Sequence, residues 1–160
     1  MQVEMSTDMP KIDIDKIAFK PVGGYPGPFK TVLDKRAKKQ LGDAVGLTQF
    51  GVNITRLGAG GASSLRHWHR EEDEFIYILE GEVVLIEDAG ETVLKPGEAA
   101  GWKANSPNGH TLANRGSKDA LILEVGTRAK SEYVTYPDVD LILDRDAQGR
   151  RYLHKNGEPY

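Results

Sequence analysis

The sequence contains no cysteine. Disulfides, thiolate zinc sites, iron–sulfur clusters and thiol catalysis are thereby excluded. It also lacks any apolar run near the roughly 18 residues that a membrane-spanning helix requires, so no membrane partner is expected. An excess of one charge is missing too: 21 Lys and Arg stand against 24 Asp and Glu, for a net charge of −3. With no long basic block, nothing suggests nucleic-acid binding. The segment Met1 to Pro10 is polar and lacks the apolar stretch of a signal peptide, so the expected location is cytoplasmic. Val3 to Met5 and the last few residues are expected to fray.

What is present in excess is glycine, at 18 of 160 residues. That is about 11% against an average near 7%. Short apolar runs between glycines read as an all-β chain. The length fits one domain, and a domain of this size buries about 68–70% of its unfolded surface, so it needs no metal merely to fold.

Three zones follow. Residues 1–47 read as an N-terminal arm. Pro21-Val22-Gly23-Gly24-Tyr25-Pro26-Gly27-Pro28 stacks turn formers and residues without an N–H donor. Lys35 to Leu41 is expected to make one or two helical turns ending at Gly42, with Lys35, Arg36, Lys38 and Lys39 on a solvated face. Residues 48–126 hold nearly all the strand signal. Gln49 to Leu57 alternates with period two. Glu74 to Leu79 and Val83 to Ile86 flank Glu80-Gly81, read as a hairpin turn. Further strands are expected at Glu91–Lys95, His110–Asn114 and Ala120–Val125. Strands at roughly 8–12-residue spacing suggest a sandwich or barrel. Residues 127–160 read as a C-terminal arm.

The chemistry concentrates in one stretch. In a strand His67 and His69 leave the same face while Trp68 leaves the other, so two imidazoles converge as a bidentate metal site. Glu74 opens the next strand after a polar loop, Arg70 to Asp73, whose Glu71, Glu72 and Asp73 are expected in solvent. An antiparallel neighbour can bring the Glu74 carboxylate back to the rings. His110 supplies a third imidazole. The fourth histidine, His154, lies in the polar tail. A bland surface His-x-His pair is disfavoured by the carboxylate and third histidine at matching positions. Asn114 is expected to bond backbone at a strand end. Trp68 and Trp102 are expected in the core or an oligomer contact, and Arg56 in a surface ion pair. On the first barrel strand, the apolar face of Phe50, Val52 and Ile54 is expected inward. The reverse orientation would make Gln49 and Asn53 line a pocket.

These residues resemble the cupin superfamily, and in particular small single-domain bacterial cupins. Gly61, five residues, His67-x-His69, four residues, Glu74, six residues, Gly81 matches the first cupin motif without a gap. Gly101, five residues, Pro107-Asn108-Gly109 and then His110, three residues, Asn114 match the second, except that His110 comes two residues early. Pro96-Gly97-Glu98 resembles the turn before that motif. The resemblance implies a single jelly-roll β-barrel with extended N- and C-terminal arms. It implies one metal, held by His67, His69, Glu74 and His110. Three imidazoles and a carboxylate suit Fe, Mn, Zn or Ni, with no thiolate to favour Cu(I). Four protein ligands leave room for an open position on a metal that accepts five or six, which is what a catalytic site requires.

The expected function is a metal-dependent enzyme acting on a small polar or anionic molecule. The metal would serve as Lewis acid or redox centre, in oxygenase, isomerase, lyase or decarboxylase chemistry. No general base stands out; a pocket Tyr or Glu is the candidate type, with Tyr77 one guess. The alternative is a non-catalytic, metal-assisted small-molecule-binding or sensor cupin. A purely structural barrel is weaker, because buried His and Glu clusters are costly without a partner. The resemblance also implies a homodimer, joined through a sheet face and exchanged arms.

Overall fold

The computed structural model describes residues 11–160; Met1 to Pro10, which carry the polar start and the fraying expected at Val3 to Met5, lie outside the described residues. The last residues do not fray as expected, since the Tyr160 N–H donates to the Tyr152 carbonyl at 3.1 Å. Short 3-10 turns at Ile14–Lys16 and Gly27–Phe29 precede β1 (Arg36–Gln40) and the four-residue α1 (Leu41–Ala44). Then come β2 (Phe50–Leu57), β3 (Trp68–His69), β4 (Glu74–Glu80), β5 (Val83–Glu87), β6 (Gly90–Leu94) and β7 (Ala99–Trp102). The chain ends with β8 (Thr111–Ala113), β9 (Ala120–Thr127), β10 (Glu132–Tyr136), β11 (Leu141–Asp146) and β12 (Gly149–Leu153). The fold is all-β, and among the described residues no helix is long and apolar enough to cross a membrane.

One wall is a five-stranded sheet in the order β1-β2-β9-β4-β7. The opposite wall combines β6-β5-β8 with β12-β11-β10-β3. Two isolated bridges, Ala62↔Ala113 and His67↔His110, stitch these smaller sheets together along residues 62–69. The two walls enclose a jelly-roll barrel. Its core is Leu57, Ile76, Ile78, Val83, Leu85, Leu112 and Ile122, with Leu57, Ile78, Val83 and Ile122 fully buried. A second cluster, Val134, Tyr136, Leu141 and Leu143, packs against Tyr25, Phe29 and Leu65. Residues from both expected arms therefore contribute to one packed cluster. β10 also pairs with β3, opposing Val134 to His69.

Three sequence expectations are corrected here. Lys35 to Leu41 is not a helix: Arg36–Gln40 is a strand paired antiparallel with Leu57–Asn53, and only Leu41–Ala44 is helical. Helix propensity in this lysine-rich run is a weak prior, and pairing along the edge of β2 overrides it. Its cations are not all solvated either. Arg36 donates to the carbonyls of Ser63 and Val22, and Lys38 turns into the barrel to pair with Glu124. Second, Gly81 does turn the chain, with φ +77°, but β4 and β5 are not a hairpin. They belong to opposite walls. A β-carbon on Gly81 would lie 2.9 Å from the Asp119 carbonyl oxygen, so only glycine fits where the chain crosses between walls. Third, β2 points its polar face inward. Asn53 lines the interior and Thr55 is fully buried, while Phe50 is exposed. Gln49 shares that parity but lies before the strand and is exposed.

Asn114 carries the strand-end role expected of it. It is 2% exposed; Nδ2 donates to the carbonyls of Leu57 and Lys118, both at 2.8 Å, and Oδ1 accepts the Gly116 N–H at 2.9 Å. Asn114→Ala removes all three bonds and leaves buried backbone groups unpartnered. Equilibrium urea unfolding is expected to show a loss of roughly 2–4 kcal/mol. A loss below about 0.5 kcal/mol would mean that water replaces the side chain at no cost.

Candidate metal centre

The four sequence candidates arrive from both walls. His67 and His110 face each other across the bridge, with His67 N–H to His110 O at 3.1 Å and His110 N–H to His67 O at 2.9 Å. This pairing sets their rings 4.8 Å apart. It also explains how a histidine two residues early in the second motif still aims at the site: its backbone is locked to His67. His69 follows on β3, its ring 4.9 Å from that of His67. Glu74 approaches from the opposite wall as the first residue of β4.

All three imidazoles turn Nε2 toward one carboxylate oxygen. Glu74 Oε2 lies 2.5 Å from His110, 3.4 Å from His69 and 3.5 Å from His67. His67, His69 and Glu74 present ligand atoms all within 4.8 Å of one another, and His110 joins them through Glu74. Nδ1 of His67 donates to the Leu65 carbonyl at 2.9 Å, and Nδ1 of His110 to the Asn108 carbonyl at 3.1 Å. Each bond leaves Nε2 as the nitrogen facing the centre. Three imidazole nitrogens and one carboxylate oxygen form a donor set that could hold a divalent transition metal.

The surroundings tune this cluster. Burial opposes the charge of Glu74, but the bonds from His110, His67 and His69 dominate and hold its carboxyl well below the usual range. Burial likewise opposes the His69 cation, yet Glu132 and Glu74 outweigh it and push that ring up to about 10. Trp102 stacks on His110, with centroids 3.7 Å apart and planes 6° from parallel, and its Nε1 donates to Glu87 at 2.8 Å. Arg66 clamps the His110 approach from outside. It makes a bidentate pair with Asp138, a second pair with Asp88 and a bond to the Gly109 carbonyl.

Beside the cluster opens a cavity of about 390 Å³. Gly126 and then Gly51 continue the cross-strand row from Glu74 over β9 and β2 and offer no side chains to the cavity there. Two residues along β9 from Gly126, Glu124 forms an ion pair with Lys38 across the inner face of β2, both largely buried. Tyr136 closes another side; burial, followed by its tyrosine neighbours, pushes its hydroxyl up, so it stays protonated. Tyr77 is not here. It lies on the outer face of β4, exposed to solvent. Arg56 is a surface residue, stacked on Phe19 and 3.9 Å from Asp119. His154 is outside the cavity, bonded to Asp140.

Sequence reading missed Lys38, Glu124, Glu72 and Glu132. Glu72 was expected in solvent, yet its side chain is 12% exposed and paired with Arg145. Glu132 is 2% exposed and faces His69. The one usable signal was period two on β9, where Glu124 interrupts the apolar inward series Ala120, Ile122.

With this geometry in view, comparison with known proteins defines the class. The cupin domain profile matches residues 53–126. A solved sugar phosphate isomerase of the cupin superfamily from Silicibacter pomeroyi is 44% identical, with a TM-score of 0.91 over 94% of this chain and 96% of that one. The chain belongs to the cupin superfamily. A candidate sugar phosphate isomerase from Acidithiobacillus ferrooxidans is 27% identical, with a TM-score of 0.72 over 78% of this chain and 80% of that one. A polyketide cyclase from Streptomyces resistomycificus shares the fold at 20% identity, with a TM-score of 0.61 over 75% of this chain and 80% of that one. Among curated proteins no relative matches.

At neutral pH the raised His69 carries a proton that a metal must displace, since a ligating imidazole is neutral. Uptake of Zn²⁺ at pH 8 is therefore expected to release about one proton from His69. Affinity should rise with pH toward 10, because the competing proton is lost in that direction. Calorimetry in two buffers of different ionisation enthalpy measures this; no buffer dependence would place a neutral His69 in the free site.

Proposed function

We propose that the protein is a metal-dependent sugar phosphate isomerase whose ligands are His67, His69, Glu74 and His110. The observation that carries this reading is the shared cavity. A three-imidazole, one-carboxylate donor set and a buried Lys38–Glu124 pair face the same 390 Å³ space. The 44% identity to a protein named sugar phosphate isomerase supports the substrate class. One divalent transition metal, with Zn or Mn suited to non-redox isomerisation, would supply Lewis acidity to a substrate oxygen.

The chain's own residues then carry the proton chemistry. Glu124 takes the proton from the substrate carbon bearing the hydroxyl and returns it to the neighbouring carbonyl carbon. The hydroxyl proton passes to the former carbonyl oxygen, so the atoms balance with no external reactant. Lys38 stays beside Glu124 and orients its carboxylate. Tyr136 remains a neutral donor at the wall. The glycine strip at Gly51 and Gly126 admits a polyol backbone beside Glu74.

The test is a panel of aldose and ketose phosphates with metal-loaded protein. Turnover is expected on at least one, and Glu124→Gln should slow it about 10²–10⁴-fold while metal content by mass spectrometry stays at one equivalent. An unchanged rate in Glu124→Gln removes the base assignment. Tight binding without turnover across the panel would favour the sensor reading instead.

We also propose that a second copy of the chain covers the outer face of the five-stranded sheet. Cross-strand rows Val52–Val125–Phe75 and Ile54–Leu123–Tyr77 make a continuous apolar surface there, and Phe50, Phe75, Tyr77 and Leu79 are each exposed by 37–44%. Such patches mark association sites. Light scattering is expected to give a dimer that Phe75→Glu, Tyr77→Glu converts to monomer. A monomeric wild-type protein would sink this proposal.

A further inference from the structure

We infer that Glu132 is a positioning residue for His69: its carboxylate receives the Nδ1–H of that ring and commits Nε2 to the metal. The inference rests on the metal reading above. It concerns a residue outside the stretch matched by the cupin profile, on the first position of β10.

Each imidazole of the cluster needs an acceptor for its outer nitrogen, because that bond fixes both tautomer and ring orientation. His67 uses the carbonyl two residues back, Leu65 O, and His110 does the same with Asn108 O. His69 does not follow the pattern. The carbonyl two residues back is that of His67, which already accepts the His110 N–H in the bridge between the small sheets. Instead, His69 Nδ1 faces Glu132 Oε2 at 3.4 Å. Both atoms are buried, and neither has a hydrogen-bond partner among the described residues. Closing that gap by about 0.5 Å makes a charge-assisted bond.

Glu132 is itself held rigidly. Its Oε1 accepts three backbone N–H groups, from Tyr133 at 2.7 Å, Arg70 at 3.0 Å and Glu71 at 3.1 Å. That leaves Oε2 as the free end, aimed at the ring. The other carboxylate nearby, Glu72, is held at Oε1 by Arg145 and the Ala129 N–H, and its Oε2 lies farther from Nδ1 than that of Glu132, at 3.8 Å against 3.4 Å. Arg145 offsets its charge. Glu132 is therefore the acceptor that the ring meets.

The isosteric variant separates positioning from a merely structural role. In Glu132→Gln the amide oxygen still accepts the three backbone N–H groups. The amide nitrogen now meets Nδ1 as a donor, so His69 is driven to the tautomer with hydrogen on Nε2, the ligating atom. The full-length variant is expected to keep its urea midpoint but to bind Zn²⁺ about 10–100-fold more weakly by chelator competition. Nitrogen-15 NMR of the metal-free wild-type protein is expected to show a His69 Nδ1–H signal that the variant lacks. Unchanged Zn²⁺ affinity in a folded variant overturns the inference. So does a stoichiometry of two Zn²⁺ per wild-type chain that falls to one in the variant, which would make Glu132 a ligand. If the wild-type protein takes up no Zn²⁺, Mn²⁺, Ni²⁺ or Fe²⁺, the metal reading fails. The NMR comparison then judges the Glu132 contact alone, and absence of the Nδ1–H signal in the wild-type protein overturns it. Should the variant not fold, that wild-type signal decides.

Discussion

Two backbone hydrogen bonds between His67 and His110 hold this molecule's architecture and its chemistry together. They join β8 to the segment leading into β3, and so fuse two small sheets into one wall. The same bonds set two imidazoles side by side and occupy the carbonyl that His69 would otherwise use. Glu74, coming from the facing wall, then finds three Nε2 atoms within 3.5 Å of one oxygen. The cluster is a contact between two sheets, backed by the Trp102 ring stacked on His110 and clamped outside by Arg66.

The parts legible in the sequence were those fixed by local spacing. Alternation on Phe50–Leu57 and the aromatic and branched run at Glu74–Leu79 translate directly into strands, and Gly81 into a turn, though one that carries the chain between walls rather than closing a hairpin. The spacing of His67, His69 and Glu74 did so as well, because a two-residue step in extended chain and a short polar loop leave little freedom. What stayed hidden depends on partners far away in the chain. Lys35 to Leu41 reads as helix until β2 lies beside it. Glu132 is one charged residue among many until β10 pairs with β3, 62 residues from the Arg70 N–H that it binds. Lys38 and Glu124 are 86 positions apart.

The inward face of β2 shows the same limit from another side. Hydropathy puts Phe50, Val52 and Ile54 inside, yet the barrel takes the polar series Gly51, Asn53 and Thr55. That strand has one polar and one apolar face, and turning the polar face inward does not require the apolar one to be wet. The interior carries a polar cavity and the exterior carries a broad apolar face. Pattern reading assumes a single core and therefore inverted the strand.

The glycines beside Glu74 bear on how such a site could diversify. A β-carbon on Gly51 would sit 3.5 Å from the Arg128 guanidinium, and one on Gly126 would sit 3.4 Å from the Asp73 carbonyl oxygen. Both are ordinary van der Waals distances, and neither residue has a positive φ. The backbone thus tolerates a β-carbon at two places where the chain keeps none. The space there can be narrowed without straining the backbone, although a β-carbon on Gly126 would lie 4.0 Å from Glu74 Cγ. A lineage carrying this scaffold could narrow the cavity there by a methyl group while leaving every imidazole where it is.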